Sequence, residues 1–202
     1  MTSLQAAELD VLRVPDDRDV RRLAIATGVV GLGAVVSLAA MFVIAGPFGT
    51  INDLLNAVLA VLAAWLVWSL RTRSTSGPVT ALSFVGAAVA VVGSALVTSG
   101  ATGFFLAGMV SGVGFGLIGI ALVAVERSLG EASETPRGVT QLGTVAGTAM
   151  AVGLVGIPAV ALRLDDMSTA PTWTWIAFVG WLGTFVLLPI WALRLGGRSR
   201  PR

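Results

Sequence analysis

The chain has 202 residues, of which 55% are hydrophobic and only 12% charged, and its mean hydropathy is +0.90. A soluble domain carries roughly a quarter charged residues to keep its surface wetted, so most of this surface faces something other than water. There is no Cys, His or Tyr, and all 13 cations are Arg, which excludes disulfides, zinc held by Cys or His, Schiff-base lysines and any serine–histidine dyad.

The 11 acids nearly balance the Arg, leaving a net charge of +2 although the pI is near 10.9. No clustered basic face follows from that balance, so nucleic acid is not an expected partner, and without His a pH switch of that kind is excluded. Zero Lys beside abundant Ala, Gly, Val and Arg is what a GC-rich genome encodes, which points to a bacterial cytoplasmic membrane.

Residues 1–22 form a polar N-terminal segment expected on the cytoplasmic side. Glu8, Asp10, Asp16, Asp17 and Asp19 make it the wrong n-region for a cleaved signal peptide. Thr2 to Val14 either forms a short amphipathic helix, with Leu4, Ala7, Val11 and Val14 on one face, or frays as a tail.

Six apolar stretches follow over 23–195, at Leu23 to Ala45, Asp53 to Leu70, Val79 to Val97, Phe104 to Val125, Val139 to Leu162 and Trp173 to Leu195. Each is long enough, or nearly so, to cross about 30 Å of hydrocarbon as a helix of about 20 residues. Continuously apolar runs in lipid satisfy their backbone only as helix, and they lack the alternation of a barrel strand. The expected fold is all-α, a compact six-helix transmembrane bundle with short loops, closed by a basic tail over 196–202.

Before the second span, Thr50-Ile51-Asn52-Asp53 reads as a capping box with Asp53 at the positive end of the helix dipole. The alternative is a shallow outer polar site made by Asn52, Asp53 and Asn56. Pro78, Pro136 and Pro171 stand at the starts of later spans, where a missing N–H costs nothing, with Gly77, Thr135 and Ser168 or Thr169 nearby as caps. Asp53 is the nearest candidate for intramembrane carboxylate chemistry, but it has no facing partner.

The fourth span carries Gly108, Gly112 and Gly116 at four-residue spacing, with Gly119 one turn further. The fifth repeats the device with Gly143, Gly147 and Ala151. Such flat stripes let helices approach closely, either within the bundle or across an oligomer interface. Ser111, between Gly108 and Gly112, is no protease nucleophile, because no His or Lys is available as its base.

Along the fifth span run Thr140, Gln141, Thr144 and Thr148. They either line a solute path, or donate their hydroxyls to carbonyls four residues back or bridge to a neighbouring helix. Pro158 and Pro189 are expected to kink the last two spans and free carbonyls there.

Arg13, Arg18, Arg21 and Arg22 precede the first span; Arg71 and Arg73 follow the second; Arg127 and Arg137 follow the fourth. Arg194, Arg198, Arg200 and Arg202 close the chain, so only Arg163 of the 13 falls on the other side. The positive-inside rule then predicts both termini in the cytoplasm. Trp173 and Trp175 are expected at the outer interface, Trp68 and Trp191 at the inner one. Trp68-x-Leu70-Arg71 and Trp191-x-Leu193-Arg194 share a pattern that reflects either a tandem hairpin repeat or simple anchoring.

No catalytic group, metal site or cofactor is expected. The leading functional reading is a non-enzymatic accessory or interaction subunit in the lipid bilayer, partnered by another membrane protein or by its own copies. The alternatives are a small permease or channel and a lipid-binding or lipid-handling protein. Deeply placed ionisable residues usually mark ion- and proton-coupled carriers; apart from the boundary residue Asp53 and Arg194 in the last turn of the sixth span none is read here, so secondary active transport is disfavoured unless Asn52, Asp53 and Asn56 form a shallow outer site.

Overall fold

The computed structural model describes residues 17–44, 46–71, 77–131 and 136–197. It contains six helices long and apolar enough to cross a membrane: α1 (Asp17–Val43), α2 (Phe48–Leu70), α3 (Gly77–Thr98), α4 (Phe104–Glu131), α5 (Arg137–Ala161) and α6 (Thr172–Gly196). There is no strand among the described residues. The amphipathic segment expected over Thr2 to Val14 lies outside them, as do Arg13, Arg73, Thr135, Arg198, Arg200 and Arg202.

Each helix packs on its neighbours in sequence, and α6 returns against α1, so the six close into a ring, with α4 also reaching α2. Short loops force this up-and-down order, because a helix joined by a few residues has only the adjacent antiparallel position within reach. Arg18, Arg21, Arg22, Arg71, Arg127, Arg137 and Arg194 therefore gather at one end of the bundle. Arg21 Nε donates to the Gly196 carbonyl at 3.0 Å and ties the first and last helices there. Arg71 lies over the Trp68 ring, 4.7 Å from its centroid.

The side chains are sorted as lipid demands. The core is rich in small residues, including Ala24, Ala60, Ala63, Ala64, Ala90, Ala121 and Ala146. Large apolar groups such as Val36, Phe42, Leu54, Trp65 and Leu182 point outward. A chain in water reverses that order; in a bilayer, helix association comes from close backbone contact rather than from hiding Leu and Phe. The protein is a multi-pass membrane protein.

The glycines show how close those contacts are. A Cβ on Gly119 would lie 2.5 Å from the Gly147 carbonyl, and one on Gly147 2.7 Å from that of Gly119. Gly116 faces Leu154, and Gly143 faces Glu126 and Trp191. The stripes of α4 and α5 thus meet each other inside one chain.

The two helices with an internal proline, α5 and α6, are irregular. α5 is 3₁₀-helical over Val152–Gly156 just before Pro158, and α6 is π-helical over Gly183–Leu187 just before Pro189. Each Pro lacks the N–H that would bond the carbonyl four residues back and crowds it, so the preceding turn tightens or widens. In α6 the Leu188 N–H donates to the Gly183 carbonyl, five residues back.

Three expectations about helix ends are corrected. α2 begins at Phe48 behind Pro47 with no side-chain cap, so Asp53 sits in its second turn and Thr50 to Asp53 form no capping box. α4 runs past Val125 to Glu131, which brings Glu126 inside the bundle at 1% exposure. Trp191, expected in an interfacial belt, is fully buried, so it is not equivalent to the half-buried Trp68.

The start of α4 is capped from a distant loop: Asp165 accepts from the Gly103 N–H at 2.6 Å and the Leu106 N–H at 3.3 Å. Negative charge is favourable at that helix end. In the same loop Asp166 accepts from the Ser168 hydroxyl and N–H at 2.7 and 2.8 Å, bonds that hold its carboxyl below the usual range. Arg163 ends α5 at φ 52°, with the Leu164 N–H donating to the Ala159 carbonyl, a position more often held by Gly.

Candidate functional site: a polar cavity beside α2

Away from the Arg-rich end, α1, α2, α3, α4 and α6 surround a small cavity with an open side. Its polar wall consists of Asn52, Asp53 and Asn56 from α2, Ser94 from α3, Ser111 from α4 and Thr184 from the π-helical turn of α6. Asn52 and Asp53 lie only five or six residues into α2 and Asn56 one turn deeper, roughly 8 to 12 Å from its start. Aromatic side chains Phe104, Phe115, Trp181 and Phe185 line the rest.

These polar groups are held inside protein. Asn52 is 3% exposed, Ser94 and Ser111 5%, and Asp53 and Asn56 8%. The Asn52 side chain hydrogen-bonds the Asp53 carboxylate. Ser111 Oγ donates across to the Ala90 carbonyl on α3 at 3.2 Å, and Thr184 Oγ1 donates back to Gly180 at 3.0 Å. Asn52 Oδ1, Asn56 Oδ1 and Ser94 Oγ have no hydrogen-bond partner among the described residues. A buried polar atom left unsatisfied costs about 1–3 kcal/mol, so three converging on one cavity form a wall that a polar guest would stabilise.

Asp53 is the carboxylate of that wall. Arg22 pairs with Asp19 at 3.9 Å outside the cavity, and among the described residues no Arg lines it. No group of three His, Cys, Asp or Glu stands together among the described residues.

The cavity owes its shape to α3, α4 and α6. Gly93 leaves the space that Ser111 occupies, and Gly108 leaves room for Trp181, whose ring a Cβ there would meet at 2.9 Å. Phe104 and Phe185 stand edge-on to Trp181 at centroid distances of 6.0 and 6.3 Å. Gly112 is looser, its Cβ position lying 3.8 Å from Trp181 Nε1.

Below Phe115 the bundle closes. There Trp191 Nε1 donates to Glu126 Oε1 at 2.9 Å, and a Cβ on Gly143 would come within 2.7 Å of the Glu126 side chain. Nothing in the local sequence around Glu126 separates it from an interfacial acid beside Arg127. Its burial follows from a Trp 65 residues away and from the missing side chain of Gly143.

The structure thus brings Asn52, Asp53 and Asn56 together around one space and adds Ser94 and Ser111, which sequence reasoning missed as lining groups. It does not bring Thr140, Gln141, Thr144 and Thr148 to that space. Gln141 and Thr148 are exposed, and Thr148 Oγ1 donates to the Thr144 carbonyl at 2.8 Å. Of the glycines singled out, Gly108 and Gly112 border the cavity, while Gly116, Gly143 and Gly147 pack the closed half.

No protein-family model, no curated protein and no solved structure matches this chain.

Proposed function

We propose that this chain is a non-enzymatic permease for a small polar solute, and that the cavity beside α2 is its solute site. The observation behind this reading is the set of unsatisfied buried oxygens of Asn52, Asn56 and Ser94 around the Asp53 carboxylate in an open space. Ionisable and polar groups inside a membrane are costly and are kept where a solute or ion passes.

The closed half below Phe115 supports a carrier rather than a continuous pore. A solute held at Asp53 has no path beyond the glycine seam of α4 and α5 until helices move. The π-helical turn of α6 places Thr184 and Phe185 on the cavity wall, and π turns are frequent at functional sites. Its Leu188-to-Gly183 bond can exchange for a four-residue one, which would rotate those two side chains. With the Arg-rich end in the cytoplasm, as the positive-inside rule places it, the cavity faces the opposite side of a cell membrane. The accessory-subunit reading drew on the lack of site chemistry, the short loops, the Arg-rich ends and the glycine stripes; of these, the stripes of α4 and α5 are occupied within the bundle.

The test is uptake into liposomes carrying the purified chain, with a panel of labelled inorganic cations, amines, amino acids and sugars. At least one class should enter tenfold faster than into protein-free vesicles, and Asp53→Asn should remove most of that excess. No excess uptake of any class by protein with an intact melting transition overturns the reading.

A further inference from the structure

We propose that the cavity selects a small protonated alkylamine: an ammonium group held by Asp53 and the two Asn oxygens, with an alkyl part against Trp181 and its neighbouring rings. The inference rests on the permease reading for its biological use, but its binding chemistry stands on the cavity alone.

Charge comes first. Asp53 is 8% exposed, no Arg among the described residues lines the cavity, and the chain has no Lys or His to supply another cation. A carboxylate away from water is stabilised by a counter-charge, and a cationic guest supplies one. An anion would meet Asp53 with nothing to offset the repulsion.

Hydrogen bonding narrows the class. Two of the unsatisfied atoms are acceptors only, the amide oxygens Asn52 Oδ1 and Asn56 Oδ1, and the Ser94 hydroxyl can accept or donate. The Ser111 hydroxyl spends its proton on the Ala90 carbonyl, so it too turns an acceptor to a guest. An alkylammonium carries up to three N–H donors on one charged centre, matching one carboxylate and two amide oxygens. A quaternary ammonium has the charge but none of the donors.

The walls argue against a bare metal ion. Phe104, Phe115, Trp181 and Phe185 contribute no oxygen ligands, whereas aromatic faces attract organic cations through the ring quadrupole. Two of these rings stand nearly perpendicular to Trp181, at 82° and 84°, so aromatic faces are presented in more than one direction.

The test is titration calorimetry on the detergent-solubilised full chain with isobutylammonium, its neutral near-isostere isobutanol, tetramethylammonium, and sodium ion alone. Isobutylammonium should bind at least tenfold more tightly than the alcohol and more tightly than tetramethylammonium. Asp53→Asn should erase the preference for charge, while Trp181→Phe, which keeps an aromatic ring, should weaken the amine severalfold and leave that preference intact. Equal binding of amine and alcohol to the unaltered chain overturns the proposal without relying on any variant folding. Binding of sodium alone overturns it in favour of an inorganic cation site. Because the readout is binding, the two readings fail separately: amine binding without uptake sinks the permease, and uptake of a neutral or anionic solute without amine binding sinks the amine.

Discussion

Among the described residues two carboxylates are buried, and their surroundings are opposite. Asp53 faces a cavity with unsatisfied amide oxygens beside it, whereas Glu126 is clamped between the Trp191 indole and the bare backbone of Gly143. The cavity half gathers three unsatisfied oxygens around one space; the closed half, where Thr140 Oγ1 also lacks a hydrogen-bond partner among the described residues, packs its helices on glycine. Burial of an acid in a membrane helix is therefore no evidence of a solute site by itself. The evidence is what stands next to it: space and open acceptors in one case, a matched donor and tight packing in the other.

The sharpest way to break this comparison is to add volume to each half. Gly143→Val drives side-chain atoms into Trp191 and Glu126, and should cost about 3 kcal/mol in a reversible unfolding measurement. Gly112→Ala, on the cavity side, meets Trp181 only at contact distance and should change stability by less than about 0.5 kcal/mol. Similar losses for the two would mean that the halves do not differ in rigidity.

Removing the Glu126 donor comes next. Trp191→Phe keeps most of the packing but deletes the bond to Glu126 Oε1, and should cost about 2 kcal/mol by the same measurement. The counterpart in the open half, Asp53→Asn, should act on function instead. Uptake should fall about tenfold, equivalent to about 1.4 kcal/mol, while the melting temperature holds or rises because a desolvated charge is gone. A melting temperature that collapses with Asp53→Asn would make Asp53 a structural group like Glu126.

Smaller effects sharpen the edges. Arg163→Gly relieves a left-handed residue at the end of α5 and should raise stability by about 1 kcal/mol, read as a higher unfolding midpoint. Thr148→Val removes only an exposed hydroxyl bonded within its own helix, and should leave both stability and uptake unchanged within about 0.5 kcal/mol.

The threonines of α5 and the asparagines of α2 looked alike as sequence: polar residues on one face of an apolar run. Only helix packing separates them. α2 turns Asn52, Asp53 and Asn56 inward against α3 and α4, while Gln141 and Thr148 point away from the ring. The capping-box pattern at Thr50 to Asp53 misled for a related reason. Pro47 starts the helix earlier, and local capping rules describe a site only once the helix start is known. Ser94 and Ser111 carried no signal at all, since a lone serine in an apolar run is unremarkable until a facing helix leaves space beside it.

What the amino-acid order determined unaided is the class and course of the chain. Apolar runs of membrane length force helix because lipid offers the backbone no other partner, short loops force antiparallel neighbours, and the Arg collect at one end. The glycine spacing likewise announced close helix contact. Which polar residues meet a cavity, which acid is clamped, and where α4 receives its cap from Asp165 were decided by tertiary structure. Each depends on atoms from helices tens of residues apart, and a helix presents its faces at 3.6 residues per turn without recording which neighbour each will meet.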